Sequence, residues 1–175
     1  MKASRSVKLV PLVLVVLTLL AACQSAPTAT PAAEGPFDVN KFTGTYKGTW
    51  TNNTTGANGD ATIVIVADPA AQTVELTIDF DGPYLGLVDP PAQTMAAKYD
   101  SQQALVEGSN PLFGDYKVTI DPDGNIIGLM KNLAGGLVPE MSYTGVVGGG
   151  RLDADYTVTL KDGKVVNSIL RLTKQ

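Results

Sequence analysis

Residues 42–50 read FTGTYKGTW. Successive side chains of a strand point to opposite faces, so Phe42, Gly44, Tyr46, Gly48 and Trp50 share one face and Thr43, Thr45, Lys47 and Thr49 the other. Aromatic residues on one parity, against threonine and lysine on the other, describe a strand with one face in a core and one in water. The two glycines on the inward parity admit two meanings. They leave room beside Tyr46 and Trp50 for a ligand, or they mark bends where no side chain fits.

The same period of two continues to the C-terminus. Residues 72–80 (QTVELTIDF) set Val74, Leu76, Ile78 and Phe80 opposite Thr73, Glu75, Thr77 and Asp79. Residues 114–121 repeat the pattern through Tyr116, Val118 and Ile120, residues 140–147 through Met141, Tyr143, Gly145 and Val147, and residues 151–160 through Leu152, Ala154, Tyr156, Val158 and Leu160. Residues 61–67 (ATIVIVA) and 125–133 (NIIGLMKNL) are apolar on both parities and read as strands buried on both faces. Residues 93–100, 103–108 and 164–173 bring the expected strands to nine or ten. Asp123-Gly124, Gly148-Gly149-Gly150 and Asp162-Gly163 separate successive runs, where tight hairpins call for positive φ. No stretch carries a helical stripe capped at both ends. The expected fold class is all-β: an antiparallel up-and-down barrel of about 8–10 strands, with a β-sandwich as the alternative.

The chain begins in another style. Residues 1–22 combine Lys2, Arg5 and Lys8 with an apolar run from Leu9 to Leu20, then Ala21 and Ala22. That run is shorter than the roughly 20 residues a spanning helix needs and has the form of a secretory signal peptide. Leu20-Ala21-Ala22-Cys23 resembles the lipobox of bacterial lipoproteins. The resemblance implies cleavage before Cys23, with diacylglycerol on its sulfur and an acyl chain on its new amino group. It also implies lipid anchoring on the extracytoplasmic face of the cell membrane or the outer membrane. Two or three acyl chains anchor stably where one is marginal. Residues 23–36, Cys23 followed by QSAPTATPAAEGP, read as the acylated cysteine and a flexible Pro/Ala/Thr tether, with a reach of about 40 Å. Residues 37–175 read as a single β domain.

Composition removes several function classes. The chain has one cysteine and no histidine, so an acylated Cys23 leaves no disulfide, no CxxC pair and no thiolate or imidazole metal site. Without Lys2, Arg5 and Lys8, ten basic residues face seventeen acidic ones, a net charge of −7. Such a chain lacks the basic footprint of nucleic-acid binding and is repelled by anionic headgroups. The expected partners are therefore the membrane, through the lipid anchor, and either an envelope protein or a small apolar ligand, with no nucleic acid. No cofactor is expected beyond the acyl chains at Cys23.

The remaining chemistry is thin. In DPDGN (121–125), Asp121, Asp123 and Asn125 match the first ligand positions of an EF-hand loop, but Ile126 stands where glycine is required and Asn132 where a bidentate glutamate is required. A hairpin turn is the better reading. Asp79 with Asp81 and Asp153 with Asp155 form carboxylate pairs of the kind sugar hydrolysis uses, yet both lie on the polar parity and read as solvated. Ser101, Ser109, Ser142 and Ser168 would each need a desolvated lysine to act as a nucleophile, and none is indicated. No catalytic residue and no metal ligand is assigned, and the chain is expected not to be an enzyme. Two apolar loops are left, PYLGLVDPPA (83–92) and LAGGLVPE (133–140). They offer Leu85, Leu87, Val88, Leu137 and Val138 as a mouth for a ligand, a docking patch, or a plug of the barrel end.

Gly48-Thr49-Trp50 resembles the Gly-x-Trp signature of the calycins, the lipocalin and avidin-like barrels. The resemblance implies that Trp50 sits at the closed end of the barrel with Arg171, from the last strand, packed over its indole. The wider FTGTYKGTW looks like the opening strand of lipocalin-like domains in bacterial envelope lipoproteins, including the copper-resistance type, whose CxxC this chain lacks. Two functions stay open. One is a non-catalytic interaction or structural β domain of the cell envelope with a filled interior. The other is lipocalin-like binding of a small apolar ligand or lipid in the barrel interior, with Tyr46, Trp50, Phe80, Tyr116, Tyr143 and Tyr156 as candidate lining residues.

Overall fold

Ten strands follow one another in hairpins: β1 (Gly44–Asn52), β2 (Asn58–Asp68), β3 (Thr73–Phe80), β4 (Gln93–Tyr99), β5 (Ala104–Asn110), β6 (Gly114–Ile120), β7 (Asn125–Asn132), β8 (Val138–Gly148), β9 (Arg151–Thr159) and β10 (Val165–Lys174). This is a computed structural model, and it describes residues 35–175; the expected signal peptide, Cys23 and the expected tether up to residue 34 lie outside the described residues. Each strand pairs antiparallel with its neighbour in sequence, and β10 returns to β1 in a register running from Tyr46 opposite Lys174 to Asn52 opposite Ser168. The sheet is thus a closed barrel and not a sandwich, with its shortest pairing between β4 and β5, where only Ala97–Tyr99 meet Ala104–Val106. Apolar side chains fill the inside, while Lys47, Glu75 and Lys117 face out, the reverse of a water-filled barrel that spans a bilayer. With a continuous core of its own, the segment from Phe37 to Gln175 has what an independently folding domain requires.

The glycines of the opening stretch serve closure. A Cβ on Gly48 would stand 2.1 Å from the carbonyl oxygen of Arg171 on β10, and one on Gly44, at φ +134°, would stand 2.5 Å from Cε of Lys174. The space a side chain would occupy is taken by the last strand, which crosses close against the first. The vacancy they suggest in sequence is no ligand space.

Two strands read as buried on both faces are buried on one. In β2, Ala61, Ile63 and Ile65 are buried, while Val66 is 56% exposed. In β7, Ile126 and Met130 are buried, while Ile127 and Leu129 are 64% and 40% exposed. A single-layered barrel has a core on one side only, and among the described residues no second layer covers its outer face. Ile127→Thr is therefore expected to change stability by less than about 0.5 kcal/mol. Ile126→Thr, one residue away, should cost about 2–3 kcal/mol through lost packing and a buried hydroxyl, as urea denaturation of the two variants would show.

The two barrel ends differ. At the base, the segment before β1 makes a single 3₁₀ turn (Val39–Lys41) whose start is capped by the Asp38 carboxylate, which accepts from the Asn40 N–H at 3.1 Å. Phe37, Val39 and Phe42 are buried there, with the rings of Phe37 and Phe42 5.3 Å apart. DPDGN is a base hairpin: the Asp121 carboxylate accepts from the N–H groups of Asp123 and Asn125 at 3.0 and 2.8 Å, so it serves its own turn. At the opposite end, the rim, stand the turns around residues 53–57, 111–113 and 160–164, the long loop 81–92, and the segment 133–137.

Candidate functional site

The rim loop 81–92 folds a tyrosine down into the barrel mouth. Gly82 turns the chain at φ +84°, and a 3₁₀ turn over Tyr84–Gly86 follows, with Leu85 and Asp89 both at φ +51°, conformations that L-residues adopt rarely. Trp50 Nε1–H donates to the carbonyl of Asp81 at 2.9 Å and pins the start of the loop to β1. Tyr84 then lies buried, stacked on Phe80 at 4.1 Å and edge-on to Trp50 at 5.3 Å. Across the mouth, the segment Leu133–Gly136 is held by the Ala134 N–H on the carbonyl of Leu112 at 2.8 Å and delivers Leu137 and Val138 to the rim.

Tyr84 partitions the space beneath and above it. Beneath lies an apolar cavity of about 100 Å³ at the barrel centre, walled by Ile63, Met95, Met130, Met141 and Leu152. Above lies an open cup of about 470 Å³, walled by Trp50, Leu85, Leu137, Val138 and Leu160. Tyr84 and Tyr156 border both. The inside of a ten-stranded barrel is wider than side chains alone fill easily, and here aromatic rings from both ends and methionines at the middle take up most of it.

No charged side chain lines the cup. Its polar groups are concentrated at the floor, where Ser168 is the single buried polar residue among the described residues apart from tyrosines. Burial pushes the Tyr156 phenol up to about 12, against the opposing pull of hydrogen bonds with Ser168 and Tyr84. Tyr84 is raised well above the ordinary phenol range, first by burial and then by its tyrosine neighbours. Both phenols are neutral at any physiological pH.

A second hollow, about 510 Å³, lies on the outer face of β8–β10 between Ser142, Thr144, Asp155, Asn167 and Arg171. It is wide but polar and shallow, and its cation is committed. Arg171 donates to the carbonyls of Ala154 and Leu170 and pairs with Asp155. Arg171 consequently faces out, while Trp50 faces in and sits at the rim, opposite the end that the 3₁₀ turn closes. The expected guanidinium–indole contact at a closed end is corrected on both counts: Leu170, not Arg171, is the β10 neighbour of Trp50.

The residues expected to line a ligand site are dispersed. Trp50 and Tyr156 border the cup, while Phe80, Tyr143 and Tyr156 border the inner cavity. Tyr46 is fully buried at the base, where its hydroxyl donates to the carbonyl of Phe42 at 2.9 Å, and it borders neither space. Tyr116 lies across Gly108 of the adjacent β5 and is half-buried outside both. Of the mouth residues, Leu85, Leu137 and Val138 wall the cup; Leu87 packs beside the core and Val88 is 88% exposed. The carboxylates Asp153 and Asp155 point outward and pair with Arg151 and Arg171. Tyr84 carries no signal of its own in the sequence, and Leu160 shows only as the inward end of the 151–160 alternation. Ser168 was singled out, but only as a serine lacking a lysine; its signal for the cup is a polar residue on the apolar parity of β10.

No family model matches the chain, and no curated protein matches it significantly. Among solved structures, the chain is similar to a protein of unknown function of the DUF3598 family from Nostoc punctiforme PCC 73102, with a TM-score of 0.57 and 15% identity over 85% of this chain. The match spans 53% of that protein's length. It supports the barrel fold.

Proposed function

We propose that the chain is a lipid-anchored, extracytoplasmic, non-catalytic binding domain whose site is the cup at the rim, filled by one small apolar molecule. The observation that carries this is the cup itself: about 470 Å³ of space with apolar walls and a few polar groups at one place, the usual build of a ligand pocket. The interior cavity, at about 100 Å³, is below the roughly 300 Å³ at which such pockets begin. The ligand is therefore assigned to the mouth and not to the barrel interior. The lipobox at Cys23 supports the anchor, and the lack of histidine and of any charged group in the cup supports a role without catalysis.

Trp50 is the only tryptophan and walls the cup, so its emission reports occupancy directly. Titration of a chain lacking residues 1–23 with 1-decanol is expected to give a saturable change in emission. Leu137→Asp, at a position 57% exposed, should weaken binding tenfold or more while leaving thermal stability nearly unchanged. A linear, unsaturable response would defeat the cup as a binding site. Separately, Cys23→Ser is expected to move the full chain out of the membrane fraction. Retention there would defeat the anchor.

One observation favours a second reading. Ile127, Leu129 and Val146 form an exposed apolar strip on the outer face of β7 and β8, at 64%, 40% and 48% exposure. An envelope protein seated there would be lost on Ile127→Lys and indifferent to Leu137→Asp.

A further inference from the structure

We infer that the cup selects neutral molecules that present a hydrogen-bonding oxygen on an apolar body, alcohols above all, and rejects carboxylates of the same length. The inference rests on the cup being the binding site. Its walls are apolar, and its polar atoms are gathered at the floor in three hydroxyls, those of Tyr84, Tyr156 and Ser168. Two further polar side chains stand at the lip: the Asn52 carbonyl oxygen accepts from the N–H groups of Thr54 and Thr55, both at 2.9 Å, and the Thr55 hydroxyl oxygen accepts from the Ala57 N–H at 3.4 Å.

Hydroxyl arithmetic makes the floor both donor and acceptor. Each O–H brings one donor and two acceptor lone pairs. Tyr84, Tyr156 and Ser168 all border the cup, so three donors and their lone pairs stand at one place to be shared with a ligand that both gives and accepts a hydrogen bond, as an alcohol does. Ser168 is 4% exposed and Tyr156 8%, so the group that meets them is almost wholly desolvated. A neutral oxygen exchanges water for the hydroxyl network at modest cost. A carboxylate reaching the same floor would be a buried anion with no cation beside it, which is strongly unfavourable. The adjoining β9–β10 turn carries two lysines, Lys161 and Lys164; both are exposed, neither lines the cup, and Lys164 is paired with Asp162.

The experiment compares 1-decanol with decanoate at pH 7.5, read by Trp50 emission on the chain lacking residues 1–23. Decanol is expected to bind at least tenfold more tightly. Tyr156→Phe and Ser168→Ala keep the shape of the floor and remove one hydroxyl each. Each is expected to weaken decanol about five- to tenfold and to leave decanoate unchanged, which narrows the preference. Equal affinities for decanol and decanoate would overturn the inference while leaving the cup as a binding site. Undiminished decanol binding in both variants would overturn it too, since the preference would then owe nothing to the floor. Saturation by neither compound would overturn the inference and the proposed function together.

Discussion

Gly48→Ala is expected to lower the unfolding free energy by about 3 kcal/mol, the upper part of the range for overpacking, although it adds a single methyl group to a strand. In a domain of this size that is a fall of about 10 °C in the thermal midpoint. Most small-to-large changes meet side chains, which can rotate away. The added Cβ here meets backbone, the Arg171 carbonyl at 2.1 Å and Leu172 Cα at 3.0 Å, and the two strands are tied by a ladder from Tyr46 to Asn52 that resists separation. Thr49→Ala, one residue along and facing water, should be nearly neutral. The pair is read by urea denaturation at unchanged m-value. A loss below about 1 kcal/mol for Gly48→Ala would mean that β10 does not lie against β1 as closely as described.

Tyr84→Ala carries the other large effect, in two readouts. Removing a buried ring that stacks on Phe80 and abuts Trp50 should cost about 3–4 kcal/mol. It should also join the inner cavity of about 100 Å³ to the cup of about 470 Å³. Ligand preference then changes with chain length. If the cup binds as proposed, the partition in the native protein should stop a decanol-sized chain and leave further methylenes in water. In the variant, two more methylenes enter the barrel at about 0.8 kcal/mol each, so the affinity of 1-dodecanol relative to 1-decanol should rise about tenfold. An unchanged ratio would show that Tyr84 does not separate the two spaces. Tyr84→Phe, which keeps the ring, should leave the ratio as it is.

Much of the barrel was legible because face alternation is a local property of the backbone. Val74, Leu76 and Phe80, or Leu152, Tyr156 and Val158, announce their inward side within a few residues, and the glycine-rich turns announce the hairpins between them. Strands β2 and β7 misled for the converse reason. Ile127 and Leu129 are as apolar as Ile126 and Met130, and whether an outer layer covers them depends on the whole architecture. The cup was half legible. Leu85, Leu137 and Val138 stood out as apolar residues in glycine- and proline-rich loops, but Tyr84 did not. The direction of its ring follows from a loop anchored to Trp50 through Asp81, a contact across 31 residues.

The sequence by itself determined that FTGTYKGTW has an aromatic inward face, that some ten such strands follow in hairpins, and that histidine and thiol chemistry are absent from the mature chain the lipobox implies. Only the tertiary structure decided what Gly44 and Gly48 are for and where a ligand would sit. Period two is written in neighbouring residues. The approach of β10 to β1, which joins residues more than a hundred positions apart, is written in none of them singly. That closing contact fills the space the glycines seemed to leave, and it leaves the open volume at the rim, above Tyr84.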